Sequence, residues 1–223
     1  MPRLTEKYAP RRLSEFVGLA EPRKVLGKWL GAPYPTAFLF IGPSGNGKTR
    51  AAEAIARALG IEPDSENAIF SYSYLPSRKC NLEAINELEV TCKTVPWSSS
   101  GWRVIHIAEA DQMTAAAQIA LLSVLDTIPA KTVFILTCNG RIKDGVVETD
   151  SGALEPRFLS RLTPIHFSTY GLNGEGKILL SRIWRTEAPD LPELNFTKIL
   201  AESRNNIRAA IQVIERELLE AAQ

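Results

Sequence analysis

The chain has 223 residues, of which 45% are hydrophobic and 23% are charged, and its formal net charge at pH 7 is +1. This composition is that of an ordinary globular protein, and the length allows one large core or one large and one small domain. The small net charge argues against a chain that binds nucleic acid through its bulk charge, so any basic surface must be local.

Apolar runs and helical patterns alternate along the first three quarters of the chain. Strands are predicted at residues 37–41, 68–74, 104–108 and 132–137, with a short fifth strand at 163–167. Helices are predicted at 49–60, 81–94 and 114–128, where Gly60 ends the first and Thr114 caps the third. Strands separated by helices of this length form a parallel sheet with helices on both faces. The fold class predicted is therefore α/β.

The pattern changes near Ser168, after which no strand-like run remains. Helices are predicted at 177–185 and 197–222, separated by the acidic and proline-containing segment 188–193. We therefore expect an α/β domain of residues 1–167 and a helical domain of residues 168–223. The long polar segment 139–154, NGRIKDGVVETDSGAL, is predicted to be a flexible loop.

Cysteine usage and the absence of apolar spans indicate the compartment. Cys80, Cys92 and Cys138 form no CxxC pair, and neither His106 nor His166 has ligand spacing to them. Buried thiols in a reducing compartment are therefore favoured over a zinc site. The N-terminal stretch MPRLTEKYAPRRL lacks the apolar core of a signal peptide, and no apolar run reaches transmembrane length. We expect a cytoplasmic protein without membrane contact.

The motif GPSGNGKT follows the first predicted strand and precedes the first long helix. It fits G-x-x-x-x-G-K-[ST], in which glycines turn backbone amides toward phosphates and the lysine reaches the β and γ phosphates. The threonine hydroxyl ligates Mg²⁺, and the helix presents its positive end to the anion. A glycine-rich turn with a chance lysine is the alternative, and the flanking strand and helix argue against it. The predicted nucleotide-binding residues are Gly42, Pro43, Ser44, Gly45, Asn46, Gly47, Lys48 and Thr49.

The stretch VIHIAEAD, which ends at Asp111, has the form of a buried strand followed by an acidic site. A carboxylate in the position of Glu109 can orient and deprotonate an attacking water. Capping of the next helix is the alternative role, for which Asp111 or Gln112 is better placed. ATPases normally have an aspartate directly before this glutamate, and here that position is Ala108.

Three further signals are weak when each is taken alone. Asn139 comes just after a predicted strand, where it could bind the γ-phosphate or the water, but many such asparagines only form turns. Arg161 lies in LEPRFLSRL, and Arg208 lies in NNIRAAIQVIE with Asn206 as a candidate cap. Either arginine could equally be a solvated surface charge.

In their order along the chain, these motifs resemble those of AAA+ ATPases, and specifically the small subunit of replication factor C type clamp loaders. LTEKYAPRRLSEFVG resembles the family's N-terminal box, GPSGNGKT its Walker A motif, and HIAEADQMTAAAQIAL its Walker B motif with the following helix. ILTCN resembles sensor 1, LSRL the motif that bears the arginine finger, and NNIRAA sensor 2. The resemblance covers nearly the whole chain, and the match over 106–121 is much more specific than a phosphate loop alone.

The resemblance implies ATP and Mg²⁺ as cofactors and gives a role to each matching residue. Glu109 would be the catalytic base, Asn139 the polar sensor, and Arg208 the contact of the helical lid with the γ-phosphate. Arg161 would reach the site of a neighbouring subunit, which implies an oligomer. Thr49 would hold the metal. The residues that would line the adenine site are Tyr8, Pro10, Val17 and Gly18.

The chain departs from the family pattern in three ways. Ala108 replaces the Walker B aspartate, Leu162 stands where the family usually has cysteine, and the helical collar that assembles family subunits is not present after the lid. A natural short form, a fragment of a longer subunit and a site mutant remain open as explanations.

The function implied by the resemblance is ATP-dependent assembly on DNA or a sliding clamp in DNA replication, with slow hydrolysis because of Ala108. Two alternatives remain open: a non-hydrolysing regulatory subunit, and a remodeller of the helicase-loader type. The implied partners are other AAA+ subunits in a homo- or hetero-oligomer, a sliding clamp and primer–template DNA. Arg78, Lys79 and Asn81 could contact that DNA, but a solvated basic turn explains them as well.

Overall fold

The computed structural model describes residues 3–150, 154–169 and 172–221. Its strands in these ranges are β1 (Thr36–Ile41), β2 (Tyr72–Pro76), β3 (Arg103–Ala108), β4 (Thr132–Cys138), β5 (Gly140–Lys143), β6 (Val146–Thr149) and β7 (Thr163–His166). Its α-helices are α1 (Leu4–Lys7), α2 (Ala20–Gly31), α3 (Lys48–Ala58), α4 (Leu82–Lys93), α5 (Ala115–Asp126), α6 (Pro156–Leu159), α7 (Leu172–Glu187), α8 (Phe196–Glu202) and α9 (Ile207–Ala221).

Five of the strands form one parallel sheet in the order β2-β3-β4-β1-β7. The pairing places Ile41 at the end of β1 opposite Cys138 at the end of β4. The carboxyl ends of the strands therefore meet at one edge of the sheet, where the residues that follow β1, β3 and β4 come together. The predicted α/β class is confirmed.

Helices cover both faces of this sheet, which explains why its central strands read as continuous apolar runs. On one face, Ile105 and Ile107 pack with residues of α4 and α5. On the other face, Val104 packs with residues of α2 and α3, including Trp29 and Ile55. Since successive side chains of a strand alternate between faces, residues 104, 106 and 108 point toward α3.

The part of the chain after β7 is helical, as predicted. Helices α7, α8 and α9 enclose their own apolar cluster, which also includes Leu4 near the N-terminus. The N-terminal segment is tied to these helices by polar contacts, such as the 2.7 Å ion pair between Lys7 and Glu187. The division into domains 1–167 and 168–223 stays a prediction. None of the helices in the described ranges is long and apolar enough to cross a membrane.

The loop predicted at 139–154 is wrong over most of its length, because β5 and β6 form an antiparallel hairpin there. The turn residues Asp144 and Gly145 have φ angles of 51° and 79°, as a tight hairpin turn requires. An ion pair of 2.6 Å joins Arg141 to Glu148 across the hairpin. The Asp-Gly pair between two short stretches of alternating apolar residues is a hairpin signal in the sequence. The high polarity of the segment favoured a loop prediction instead. Residues 151–153 of this prediction lie outside the described residues.

Two other predicted elements have different bounds. The strand predicted at 68–74 begins only at Tyr72, because Glu66–Phe70 form a 3₁₀ turn. The helix predicted at 197–222 is broken into α8 and α9, and its last residue lies outside the described ranges. Arg204 and Asn205 have left-handed φ angles of 52° and 56°, which an α-helix cannot contain.

Candidate nucleotide site

A cleft with a volume of about 190 Å³ lies at the carboxyl edge of the sheet. It collects residues from the predicted phosphate loop, from the ends of β2, β3 and β4, and from the start of α9. The cleft is lined by Ser44, Gly45, Gly47, Lys48, Thr49, Arg50, Tyr74, Pro76, Ala108, Glu109, Thr137, Cys138, Asn139 and Arg208. The fold thus brings Glu109, Asn139 and Arg208 to the phosphate loop from distant parts of the sequence.

The phosphate loop needs its glycines at two positions. Gly45 and Gly47 have φ angles of 80° and 84°, and Gly47 starts α3 without a side chain to cap it. A Cβ atom on Gly45 would lie 2.3 Å from the side-chain oxygen of Asn206. Asn206 in turn donates a hydrogen bond of 2.9 Å to the carbonyl of Ser44, and its side-chain oxygen caps α9 by accepting from Ala209 at 3.1 Å. The predicted cap therefore also fastens the start of α9 to the phosphate loop.

Lys48 is buried at the neck of this loop. Its Nζ donates to the carbonyls of Gly42 and Pro43 at 2.6 and 2.8 Å, and to Oδ1 of Asn139 at 3.0 Å. Burial lowers the pKa of the Lys48 ammonium to about 8. These hydrogen-bond partners are neutral, so the charge is compensated only at a distance. A buried cation surrounded by loop amides and a helix start has the donor chemistry that a polyphosphate requires.

The end of β3 gives the position of the two residues that the sequence singled out. Ala108 is buried, and Glu109 is exposed with a left-handed φ of 58°. The backbone N–H of Glu109 donates to the hydroxyl of Thr137 at 3.2 Å, while its side chain caps no helix. Thr114 caps α5 instead, by accepting from the N–H of Ala117 at 3.2 Å. The alternative role of Glu109 as the cap of α5 is therefore excluded.

Asp111 is fully buried and does not line the cleft. Its Oδ1 accepts a hydrogen bond of 3.2 Å from the backbone N–H of Asn139. Asn139 is thus fixed through its backbone by Asp111 and through its side chain by Lys48. Sequence reasoning missed this supporting role, because the two residues are far apart in the chain and meet only where β3 and β4 end.

The residues predicted to line the adenine site lie outside the cleft described above. Tyr8 and Val17 pack against the cluster of α7, α8 and α9, and the Tyr8 hydroxyl donates to Glu187. The backbone N–H of Gly18 donates to Glu175 at 2.6 Å, and a Cβ on Gly18 would lie 2.7 Å from Leu172. Together with Pro10 they belong to the N-terminal segment between α1 and α2, and their adenine role stays a prediction.

Arg161 is not among the residues that line the cleft. Its Nε donates to Oδ1 of Asp126 at 2.8 Å and its Nη1 to the carbonyl of Arg157 at 2.9 Å, and 34% of the side chain is exposed. The ion pair with Asp126 raises the pKa of Arg161 and lowers that of Asp126. The arginine is thus held on the surface near the end of α5.

Other predicted residues have identifiable positions. Arg78 and Lys79 are exposed, whereas Asn81 caps α4 by accepting from Ala84 at 2.9 Å, which gives it a structural role. The three cysteines are buried, as expected.

A larger cavity of about 500 Å³ lies beside the β5–β6 hairpin, but Pro43 is the only phosphate-loop residue in its lining.

Comparison with known proteins agrees with this geometry. Residues 38–149 match the model of the ATPase family associated with various cellular activities (AAA). The chain belongs to this family. Its P-loop ATPase fold implies nucleotide binding.

Among curated proteins the chain is similar to replication factor C subunits. It is 32% identical over 136 residues to the replication factor C small subunit of Methanocella arvoryzae, covering 60% of this chain and 41% of that protein. It is 29% identical over 210 residues to replication factor C subunit 3 of Blastobotrys adeninivorans, covering 94% of this chain and 58% of that protein. The chain thus spans about half the length of these relatives.

A solved structure with the same fold is the RuvB Holliday junction branch migration motor of Thermotoga maritima. The TM-score is 0.69 at 21% identity, over 96% of this chain and 67% of that one. At this identity the likeness concerns the fold.

Proposed function

We propose that the chain binds ATP with Mg²⁺ in this cleft and acts as an AAA+ subunit of the clamp-loader type. It would assemble in an ATP-dependent way on DNA or a sliding clamp during DNA replication. The observation that carries the proposal is the buried Lys48, which has neutral hydrogen-bond partners and shares one cleft with Glu109, Asn139 and Arg208. The similarity to replication factor C subunits supports the assignment to replication.

The residues of the cleft suit a division of labour in hydrolysis. Lys48 and the loop amides would bind the β and γ phosphates, and Arg208 would approach the γ-phosphate from the C-terminal helices. Glu109 would take a proton from the water whose oxygen bonds to the γ-phosphorus as the bond to the bridging oxygen breaks. Asn139 would orient that water or the phosphate.

The donor set for a metal ion is sparse but adequate. Among the described residues, no group of three His, Cys, Asp or Glu side chains could hold one. Mg²⁺ normally keeps several waters and takes few protein ligands beside substrate phosphates, so the hydroxyl of Thr49 would suffice as the direct ligand. When bound, the ion neutralises charge on the phosphates. Ala108 provides no acid to fix its waters, so we infer slow hydrolysis.

The surface position of Arg161 supports action on a neighbouring subunit. A residue held by Asp126 outside its own cleft can contribute to hydrolysis only at another cleft. We therefore propose a homo- or hetero-oligomer of AAA+ subunits. Tyr8, Pro10, Val17 and Gly18 would contact the base from the N-terminal segment between α1 and α2.

A second candidate is a regulatory subunit that binds ATP without hydrolysing it. Ala108 favours this candidate, because the aspartate that ATPases normally have at that position is missing from the hydrolytic residues. The presence of Glu109, Asn139, Arg161 and Arg208 opposes it, since an inactive site has no need of all four. A remodeller with a protein substrate would share the same cleft and differ in its partner.

One experiment separates the three candidates: ATPase turnover of the chain with and without primer–template DNA, with Glu109→Gln as the matched inactive control. A clamp-loader subunit is expected to show slow turnover that DNA stimulates and that Glu109→Gln abolishes. Turnover that DNA leaves unchanged favours the remodeller. ATP binding without any turnover, with or without DNA, favours the regulatory subunit.

A further inference from the structure

Tyr74 is a residue of the cleft that sequence reasoning did not single out. It lies on β2, where it pairs with His106 of β3, and two residues later Pro76 pairs with Ala108. Because side chains alternate along a strand, Tyr74, His106 and Ala108 share the face of the sheet that α3 covers. The Tyr74 side chain therefore lies on the same side as the Ala108 methyl group and the start of α3.

The hydroxyl of Tyr74 is available to a ligand. The residue lines the cleft together with Lys48, Thr49, Ala108 and Glu109, and it is 54% exposed. Within the described residues its hydroxyl makes no hydrogen bond. A tyrosine hydroxyl can both donate and accept, so it can bind a water in either orientation.

The ring of Tyr74 is supported by the neighbouring His106 ring. Its centroid lies 5.1 Å from that of His106, at an interplanar angle of 69°. His106 is fully buried, and its Nδ1 is 2.9 Å from the hydroxyl of Tyr72. Edge-to-face contacts of this kind fix ring orientation. Tyr74 is therefore a half-exposed side chain with a supported position.

We propose that Tyr74 is a positioning residue that does part of the work of the aspartate missing at Ala108, by hydrogen-bonding to waters around the nucleotide-bound Mg²⁺. This rests on the proposed function. Ala108 lies two residues beyond the level of Tyr74, roughly 6.6 Å along the strand, a distance that a tyrosine side chain can span.

The acids near the cleft are poorer candidates for this work. Asp111 is buried and bonded to the N–H of Asn139, and it does not line the cleft. Asp150 lines the larger cavity beside the hairpin. Glu109 lines the cleft, but its carboxylate is required for the attacking water.

The test measures the Mg²⁺ concentration that half-saturates tight binding of a fluorescent, slowly hydrolysed ATP analogue. Tyr74→Phe keeps the ring and removes only the hydroxyl, and it is expected to raise this concentration about tenfold, the lower end of the loss when an outer-shell partner is removed. Tyr34→Phe is the matched control, because Tyr34 is exposed outside the cleft, and no shift is expected there.

The same comparison in an Ala108→Asp background distinguishes positioning from a structural effect. With the carboxylate restored, Tyr74→Phe is expected to shift the Mg²⁺ requirement by less than about twofold, since two residues that serve one function are not additive. An equal shift in both backgrounds, or no shift in either, overturns the proposal for Tyr74 alone. A parent chain that binds no analogue at any Mg²⁺ concentration overturns the nucleotide site as well.

Discussion

The two sides of the cleft differ in how completely the protein itself holds their polar side chains. The β1 side consists of the phosphate loop after β1 and the end of the adjacent β4. There, Lys48 is buried and makes three hydrogen bonds, and Asn139 is hydrogen-bonded through both its backbone and its side chain. On the β3 side, which consists of the ends of β2 and β3, Ala108 has no polar group and Glu109 is exposed. The Tyr74 hydroxyl there has no hydrogen-bond partner among the residues that the structure describes. The β1 side is preorganised to bind an anion, whereas the polar groups of the β3 side would be held in place only by bound water and metal ion.

Because of this difference, nucleotide binding and hydrolysis can be changed separately in one site. Preorganised donors stabilise a bound phosphate without further cost, while a reaction also needs a water held at the right atom. A substitution on the β3 side can therefore change the rate of hydrolysis while the β1 side still binds the phosphates. Substitutions on the two sides are expected to affect different measurements.

The largest effect is expected from Arg161, which lies on neither side of its own cleft. Arg161→Ala should lower ATP turnover by about 10³–10⁵, the range measured for arginine fingers in other NTPases, and leave ATP affinity unchanged. Turnover and equilibrium binding measured on the same preparation check this.

Mixing Arg161→Ala with Glu109→Gln sharpens the result. Each protein supplies what the other lacks at a shared interface, so part of the turnover should return. No recovery in an oligomer shown to contain both proteins would contradict action in trans.

The β1 side is tested by Lys48→Ala. Loss of this buried charge should weaken ATP binding by about 100-fold or more, because truncating one partner of a buried charge pair costs about 2–5 kcal/mol. Titration of a fluorescent ATP analogue measures the effect, and Lys79→Ala on the exposed turn is the control. Equal affinities of parent and Lys48→Ala would show that the phosphate loop is not the binding site.

The β3 side is tested by Ala108→Asp. Restoring the acid should raise turnover at limiting Mg²⁺ by about 10–100-fold, with little change in ATP affinity. The measurement is turnover against Mg²⁺ concentration, and Ala108→Asn is the matched variant without charge. A parent that already turns over rapidly with an ordinary Mg²⁺ requirement would contradict the assigned defect.

The smallest effect is expected from pH, through Lys48 again. Burial lowers the pKa of its ammonium to about 8, so the free protein keeps the charge below that pH and loses it as the pH rises further. ATP binding above pH 8 must then take up a proton, and affinity should fall by up to about tenfold per pH unit. Calorimetry in two buffers of different ionisation enthalpy measures the uptake.

Lys48→Arg is the control for this prediction, since arginine stays charged throughout the range. Whatever its absolute value, the affinity of Lys48→Arg for ATP should not fall above pH 8. The same fall in both proteins would locate the titrating group elsewhere.

Several elements were readable because their signals are local. Strands β1, β3 and β4 are buried on both faces and therefore appear as apolar runs, and the glycine–lysine pattern lies between a strand and a helix. The caps Thr114 and Asn206 bond to N–H groups three residues away, a distance that sequence spacing fixes. The hairpin of β5 and β6 was missed although its turn was also local, because polarity outweighed the turn signal.

The α/β class, the phosphate loop and the chain positions of Glu109, Asn139 and Arg208 could be predicted from the amino-acid sequence. Three contacts became visible only in the folded chain: Asp111 supports Asn139, Asp126 holds Arg161, and Tyr74 shares a cleft with Ala108. The physical reason is distance along the chain. Contacts within one strand, turn or helix leave a periodic or spaced pattern, whereas contacts between neighbouring strands of a parallel sheet depend on strand order and register, which no single segment specifies.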